Sequence, residues 1–360
     1  MTFIEDAAEQ VKGNCLISDA RHAGAFSVCG LALRLRDLYK WEKGLPPWVE
    51  GESQEVLDWI GRREESWEGL EEDEFTEILI QGRSYDPFDV EGVNREVEPM
   101  GYFYGAGLAR GLKPVFFLAR IEERREVSGR PVYVLGEELA RDLLTLPALT
   151  RDGVIVVRKE SARVYLWDQI SYLGKSGRPA LRFALAQYGL VLGDYENLPL
   201  HMDRILSDEV DIYVHHELGE IAAGQVTGEI WPEMVGAFAQ TPCELAARAV
   251  KDMLADTHEQ GTLEYIVRRG RKASLGFYAA FLDGLRKELF PELRAALMNF
   301  MNCEDWGAVE DARRKAYEKA ARHAEWMVSA FRRSGGKGDS ARARIERHIL
   351  EPLGIHAIEP

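Results

Sequence analysis

The sequence predicts an α+β protein, predominantly α: a helical N-terminal half with a small β-hairpin layer, then a C-terminal helical bundle. Three observations predict it. Leu31, Leu35 and Leu38 recur at the i, i+4, i+7 spacing of one helix face. Runs of β-branched and aromatic residues are confined to one block at about residues 101–160. From Ala162 onward the chain reads as helix after helix, with Pro179, Pro199, Pro232, Pro242 and Pro291 marking first turns or breaks.

In chain order, a helix is expected from about Ser18 to Glu42, stopped by Pro46-Pro47. A second runs from Glu55 to Leu70, with Val56, Ile60, Trp67 and Leu70 on one stripe. Tyr85-Asp86-Pro87-Phe88 is turn chemistry, because the residue before proline avoids the helical region. The glycine-rich stretch Gly101 to Pro114 leads into VFFLARIEERREV and PVYVLG, which read as a hairpin turned at Ser128-Gly129-Arg130. A helix is expected from Glu137 to Leu146 and a strand at Val154 to Val157. The β runs do not alternate with helices, which argues against a doubly wound sheet. The long helices of the second half are expected at Met202 to Gly224, Cys243 to Val267, Ala273 to Leu289 and Trp306 to Arg333, with a loop at Ser334 to Gly338. Two domains are expected, 1–195 and 196–360, with no repeat of fixed period.

The 360 residues are 46% hydrophobic and carry a formal net charge of −15. Such a surface repels polyphosphate and anionic lipid, so neither nucleic acid nor a membrane is expected as partner. A small-molecule ligand and a second copy of the chain are the partners left in view. Cys15, Cys29, Cys243 and Cys303 form no CxxC pair and are expected to be reduced, mostly buried thiols. The N-terminus lacks the basic and apolar regions of a secretory signal. Runs such as Val115 to Ala119 are far shorter than the ~20 residues of a spanning helix. A cytoplasmic location is expected.

Chemistry is concentrated on Ser207 to Gly224. On a helical wheel, Val210, Val214, Leu218 and Ile221 form the buried stripe, and Glu209, His216, Glu217 and Glu220 share the apolar half. Asp208, Asp211 and His215 fall on the face expected to meet solvent. Charges on an apolar face are costly unless paired or metal-bound. His216 and Glu220 stand at i, i+4 and can point at one ion. Imidazole and carboxylate suit iron, manganese or zinc. The string HELGE is not the HExxH of zinc peptidases, since it lacks the second histidine. Asp256, and near the N-terminus Asp19 and His22, are expected to complete a divalent-metal site with His216 and Glu220. Glu217 is the spare carboxylate available as catalytic base. The competing expectation is a buried polar network satisfied by lysine and arginine partners.

Two weaker candidates remain. Gly105, Gly107 and Gly111 with Lys113 give GxGxxxG, but the spacing matches no phosphate loop and the loop leads into a strand. Cys29 lies one heptad after His22, close enough on a continuous helix for contact, though a buried inert thiol is the better expectation. SDARHAG with YKWE, YDPFD and HHELGEIAAG together resemble a family of bacterial hypothetical proteins without assigned activity. That resemblance implies a stand-alone bacterial protein and supplies no reaction, substrate or cofactor. The function expected from the residues is a metal-dependent enzyme acting on a small molecule. The alternative is a non-catalytic binding or assembly protein.

Overall fold

The computed structural model describes residues 3–109, 112–194, 196–282, 284–335 and 338–355, and its internal contacts divide the chain into two units, Met1–Asp168 and Gln169–Pro360. The first is organised by a hairpin of β4 (Pro114–Val127) and β5 (Arg130–Arg141). Ser128 and Gly129 form its turn with φ of 52° and 75°, the mirror-image turn whose twist suits a hairpin. β3 (Tyr102–Leu108) pairs with the free edge of β4. On the other side β7 (Val154–Arg158) runs parallel to β5, and β6 (Ala148–Arg151) lies antiparallel beyond it, giving the order β3-β4-β5-β7-β6. A small ribbon, β1 (Ile78–Ile80) with β2 (Arg83–Tyr85), stands apart from this sheet.

α1 (Phe3–His22) covers one face of the sheet. Its Ile4, Ala7, Ala8, Val11 and Cys15 join Tyr104, Phe116, Leu118 and Ala140 in one core, to which α4 (Val90–Val97) adds Val93 and Val97. The turn before α4 follows its chemistry: Asp86 Oδ1 accepts from the Phe88 amide at 2.7 Å, and Asp89 caps the helix by accepting from Gly92. α2 (Val28–Glu42) gathers a satellite core around Leu35 and Leu38 with Trp67, and partly buried Trp59 and Ile60 of α3 (Ser53–Glu65) pack on it. α5 (Lys159–Ser171) follows β7.

The second unit is helical. α6 (Arg178–Ala186), α7 (Leu198–Thr227), α8 (Ile230–Ala237), α9 (Pro242–Thr257), α10 (Thr262–Arg269) and α11 (Lys272–Phe281) are followed by α12 (Gly284–Leu289), α13 (Pro291–Cys303), α14 (Trp306–Arg333) and α15 (Gly338–Ile345). α9 is the centre, with Val250, Met253 and Leu254 fully buried, and α7 and α14 pack on it. Gly219 of α7 presents its bare Cα to the Ala255 carbonyl of α9; a Cβ there would stand 2.1 Å from that oxygen.

Five expected helices differ, one of them that from Ala273 to Leu289, which is interrupted after Phe281 where Leu282 is extended, so that α11 and α12 are separate. The single helix from Ser18 to Glu42 is broken at Ala23–Ala25, and Ser27 starts α2 by accepting from the Gly30 amide at 3.1 Å. The helix expected at Glu137 to Leu146 is strand as far as Arg141: pairing with β4 through bulges overrides the helical propensity of GEELAR. The helix from Glu55 to Leu70 ends at Glu65. That from Cys243 to Val267 stops at Thr257, because His258 is extended and Gly261 closes against the Ala255 carbonyl. Of the Ser334 to Gly338 loop, Gly336 and Lys337 lie outside the described residues.

Candidate functional site

The sequence led first to α7. Its Val210, Val214 and Leu218 are buried as expected, and so are Glu209 and Glu217. His216 and Glu220 are half-buried, with 31% and 29% of their side chains exposed. The bare Cα of Gly219 lets α9 approach closely, and this sets His216 Nδ1 2.7 Å from Asp256 Oδ1. The other ring nitrogen, Nε2, lies 3.8 Å from Glu220 Oε1. Asp256 also accepts from the Tyr278 hydroxyl at 3.0 Å and has Arg286 at 4.0 Å, while Lys251 Nζ donates to Glu220 at 2.8 Å.

The charges fix the chemistry of the cluster. Burial alone would lower the His216 pKa, but the Asp256 charge and hydrogen bond, with Glu217 and Glu220 behind, outweigh it and raise the pKa to about 10. A carboxylate faces each ring nitrogen of His216, which favours the protonated ring. Burial would raise the Glu220 and Asp256 pKa values; Lys251 and His216 hold the first below the usual range, and His216, Arg286 and Tyr278 hold the second there. Arg286 and Lys251 are partners that spacing alone did not reveal.

The expected metal ligands fall in both units. His216, Glu220 and Asp256 come together in the second unit, whereas Asp19 and His22 belong to the first. There Asp19 pairs with Lys113 Nζ at 2.9 Å and accepts from the Leu143 amide, and His22 Nδ1 lies 3.0 Å from the Ser18 carbonyl. Among the described residues no group of three or more His, Cys, Asp and Glu side chains is placed to hold a metal ion. Part of the face of α7 expected to meet solvent is packed instead, while Asp208 stays exposed over 42% of its side chain. His215 is buried, stacks on Tyr265 with centroids 4.1 Å apart and has its Nδ1 2.9 Å from the Gln260 carbonyl; Tyr265 in turn donates to Asp211.

The glycine stretch is also structural. Gly105 lies in β3, flat under the Phe117 ring, which a Cβ would meet at 2.1 Å. Lys113 is buried, donates to Ser18 Oγ at 2.9 Å and pairs with Asp19, so it faces no loop. Gly111 lies outside the described residues. Cys29 is exposed and separated from His22 by the helix break, while Cys15 is buried and its thiol donates to the Phe116 carbonyl at 3.2 Å.

Sequence reasoning missed the feature that has the form of a ligand site. A side chain bridges the two edges of the sheet: Arg151 of β6 donates through Nη1 to the Ala106 carbonyl of β3 and through Nη2 to the Phe88 carbonyl at 2.9 Å. The face away from α1 thus lines a cavity of about 750 Å³. Phe103, Tyr133 and Val156 form its buried floor with Leu149 and Val154, and the Phe103 and Tyr133 rings lie 4.8 Å apart. Exposed charged residues stand at the rim, among them Glu91, Arg95 and Arg124. Tyr133 donates to Glu98 Oε2 at 3.0 Å, and the Arg124 guanidinium lies 4.9 Å from the Tyr133 ring centroid. The alternation Phe103, Gly105, Gly107 along one strand was the available sign, read before as a loop.

Family models cover both units. Residues 6–158 match the N-terminal domain, and residues 163–352 the C-terminal domain, of a family of unknown function, DUF6866. The chain belongs to that family. No curated protein and no solved structure matches this DUF6866 chain. The three strings that suggested an uncharacterised family have structural duties in the DUF6866 fold. Ser18 and Asp19 tie α1 to Lys113, Pro87 accepts from the Tyr104 hydroxyl, and Gly219 admits α9. None of the described DUF6866 helices is long and apolar enough to cross a membrane.

Proposed function

We propose that this DUF6866 chain binds a small amphipathic molecule in the cavity of its sheet, and that the α7 network fixes helix packing instead of performing catalysis. One observation carries the reading: a cavity of about 750 Å³ with a buried aromatic and aliphatic floor and charged residues at its rim. Its size falls in the range of about 300–1,000 Å³ that small-molecule sites occupy. The floor favours an apolar or aromatic body, and a rim of both signs, Arg95 and Arg124 beside Asp89, Glu91, Glu98 and Asp152, favours a polar end. Lys251 on Glu220 and Arg286 beside Asp256 give these carboxylates partners within the fold, which supports the structural reading of the network.

The test is a fluorescence titration of the full chain with 8-anilinonaphthalene-1-sulfonate. The expected result is saturable binding to the folded wild type, weakened in Val154→Trp, whose indole occupies part of the cavity over the Phe103 and Tyr133 floor, while far-ultraviolet circular dichroism stays native. Folded wild type that leaves the dye dark overturns the reading, as does a native Val154→Trp that binds like wild type.

A further inference from the structure

A second cleft in the first unit, of about 520 Å³, is lined by Lys40, Trp41, Glu138, Arg141, Glu160 and Arg163 among others. It does not depend on the sheet cavity for its argument. In the β4–β5 ladder Phe117 stands opposite Arg141, so the strand that supplies Tyr133 to the first cavity supplies Arg141 to this one. Arg141 is 2% exposed, yet neither of its terminal nitrogens has a hydrogen-bond partner. Its nearest carboxylate oxygen, Glu138 Oε2, is 3.8 Å from Nη1, too far for a hydrogen bond, and is itself without a donor. Glu138 is committed through its other oxygen, which accepts from Arg158 Nε at 2.8 Å and Ser161 Oγ at 2.9 Å.

A guanidinium cannot discharge itself by losing a proton. Native proteins seldom leave buried donors unmet, and such groups mark a missing ligand or water. Here the unmet set is a planar fork of two N–H donors beside one unmet carboxylate oxygen. The fork fits a carboxylate in bidentate fashion, and Glu138 Oε2 asks for a donor next to it. The lining mixes cations (Lys12, Lys40, Arg141, Arg163) with acids (Asp37, Glu42, Glu137, Glu138, Glu160), which disfavours a dianion such as phosphate. Trp41, whose ring lies 5.8 Å from the Arg141 guanidinium carbon, supplies an apolar wall.

We infer that this cleft is a binding site for a small zwitterion of the α-amino acid class, its carboxylate on the Arg141 fork and its ammonium at Glu138 Oε2. The test measures thermal shifts and titration calorimetry on the full chain with the twenty L-α-amino acids, acetate and inorganic phosphate as probes. At least one amino acid is expected to raise the melting temperature by about 3 °C or more at millimolar concentration, with acetate and phosphate weaker. Arg141→Met removes the buried charge and keeps the chain's length, so it is expected to melt no lower than wild type without ligand and to lose the response. Arg141→Lys, which has no planar fork, is expected to bind at least about tenfold more weakly. The inference is overturned if no amino acid binds, if phosphate binds best, or if Arg141→Met retains wild-type affinity. It is overturned too if Arg141→Met melts well below wild type without ligand, since Arg141 would then have partners within the fold.

Discussion

Gly219 of α7 and Ala255 of α9 meet backbone to backbone, with no room for a side chain between them. That contact brings His216 within 2.7 Å of Asp256. Gly219→Ala gains helix propensity but drives a methyl into a carbonyl. Overpacking of this kind costs about 1–3 kcal/mol, more than the ~1 kcal/mol that propensity returns. The variant is therefore expected to unfold at lower urea concentration, and its His216 to titrate at lower pH by nuclear magnetic resonance. A Gly219→Ala protein as stable as wild type would show that the two helices are not in contact there.

The His216–Asp256 pair makes stability depend on pH in a definite direction. Folding raises the His216 pKa from the ordinary ~6.5 to about 10, so between those values the folded chain keeps a proton that the unfolded chain releases. The pair's contribution is full below about pH 6.5 and is lost as pH rises through about 10. His216→Gln is expected to be less stable than wild type by about 1–3 kcal/mol at neutral pH. The two stability curves should converge above pH 10. A constant gap across that window would show that His216 is neutral in the folded protein.

Much of this was legible in the sequence, and the failures have physical causes. Periodicity located α7 and α14, and turn residues located the β4–β5 hairpin, because those signals are local. The wheel placed His216 and Glu220 together, and a buried network was the stated alternative. What the wheel lacked was the partner surface: it left His215 to solvent, whereas Tyr265 of α10 covers it. The strand through Glu138 and Arg141 reads locally as helix, and only pairing with β4 decides otherwise. The sheet cavity was invisible for the same reason. Its two sides are bridged by Arg151, which reaches a carbonyl 45 positions away in sequence.

Glu209 shifts stability with pH in the same direction as His216, but its replacement is expected to stabilise the protein. It is buried on α7 with Ser274 Oγ donating to it at 2.6 Å, and burial outweighs that bond to push its pKa up to about 7. From about pH 4.5 to 7 the folded chain holds a proton the unfolded chain has lost, so stability falls as pH rises through that window. Glu209→Gln removes the charge and keeps an acceptor for Ser274. It is expected to stabilise the protein by about 1–3 kcal/mol above pH 7 and to change little at pH 4.5. A loss of stability at pH 8 would show that the folded protein uses the Glu209 charge.

Arg151 bridges the two edges of the sheet, so its removal should loosen them specifically. Arg151→Ala takes the arginine donor from the Ala106 carbonyl and leaves the Phe88 carbonyl with the Val90 amide alone, at a cost of about 1–3 kcal/mol. Amide exchange is expected to quicken in β3 and β6, which have only one strand neighbour each, and much less in β4 and β5, which stay paired on both sides. Dye binding in the cavity should weaken in proportion, because its floor spans both edges. Arg151→Lys can reach one carbonyl but not both, so it should recover part of the protection. Unchanged exchange in β3 and β6 of Arg151→Ala would mean that the two edges are held without it, and the cavity would then owe nothing to this side chain.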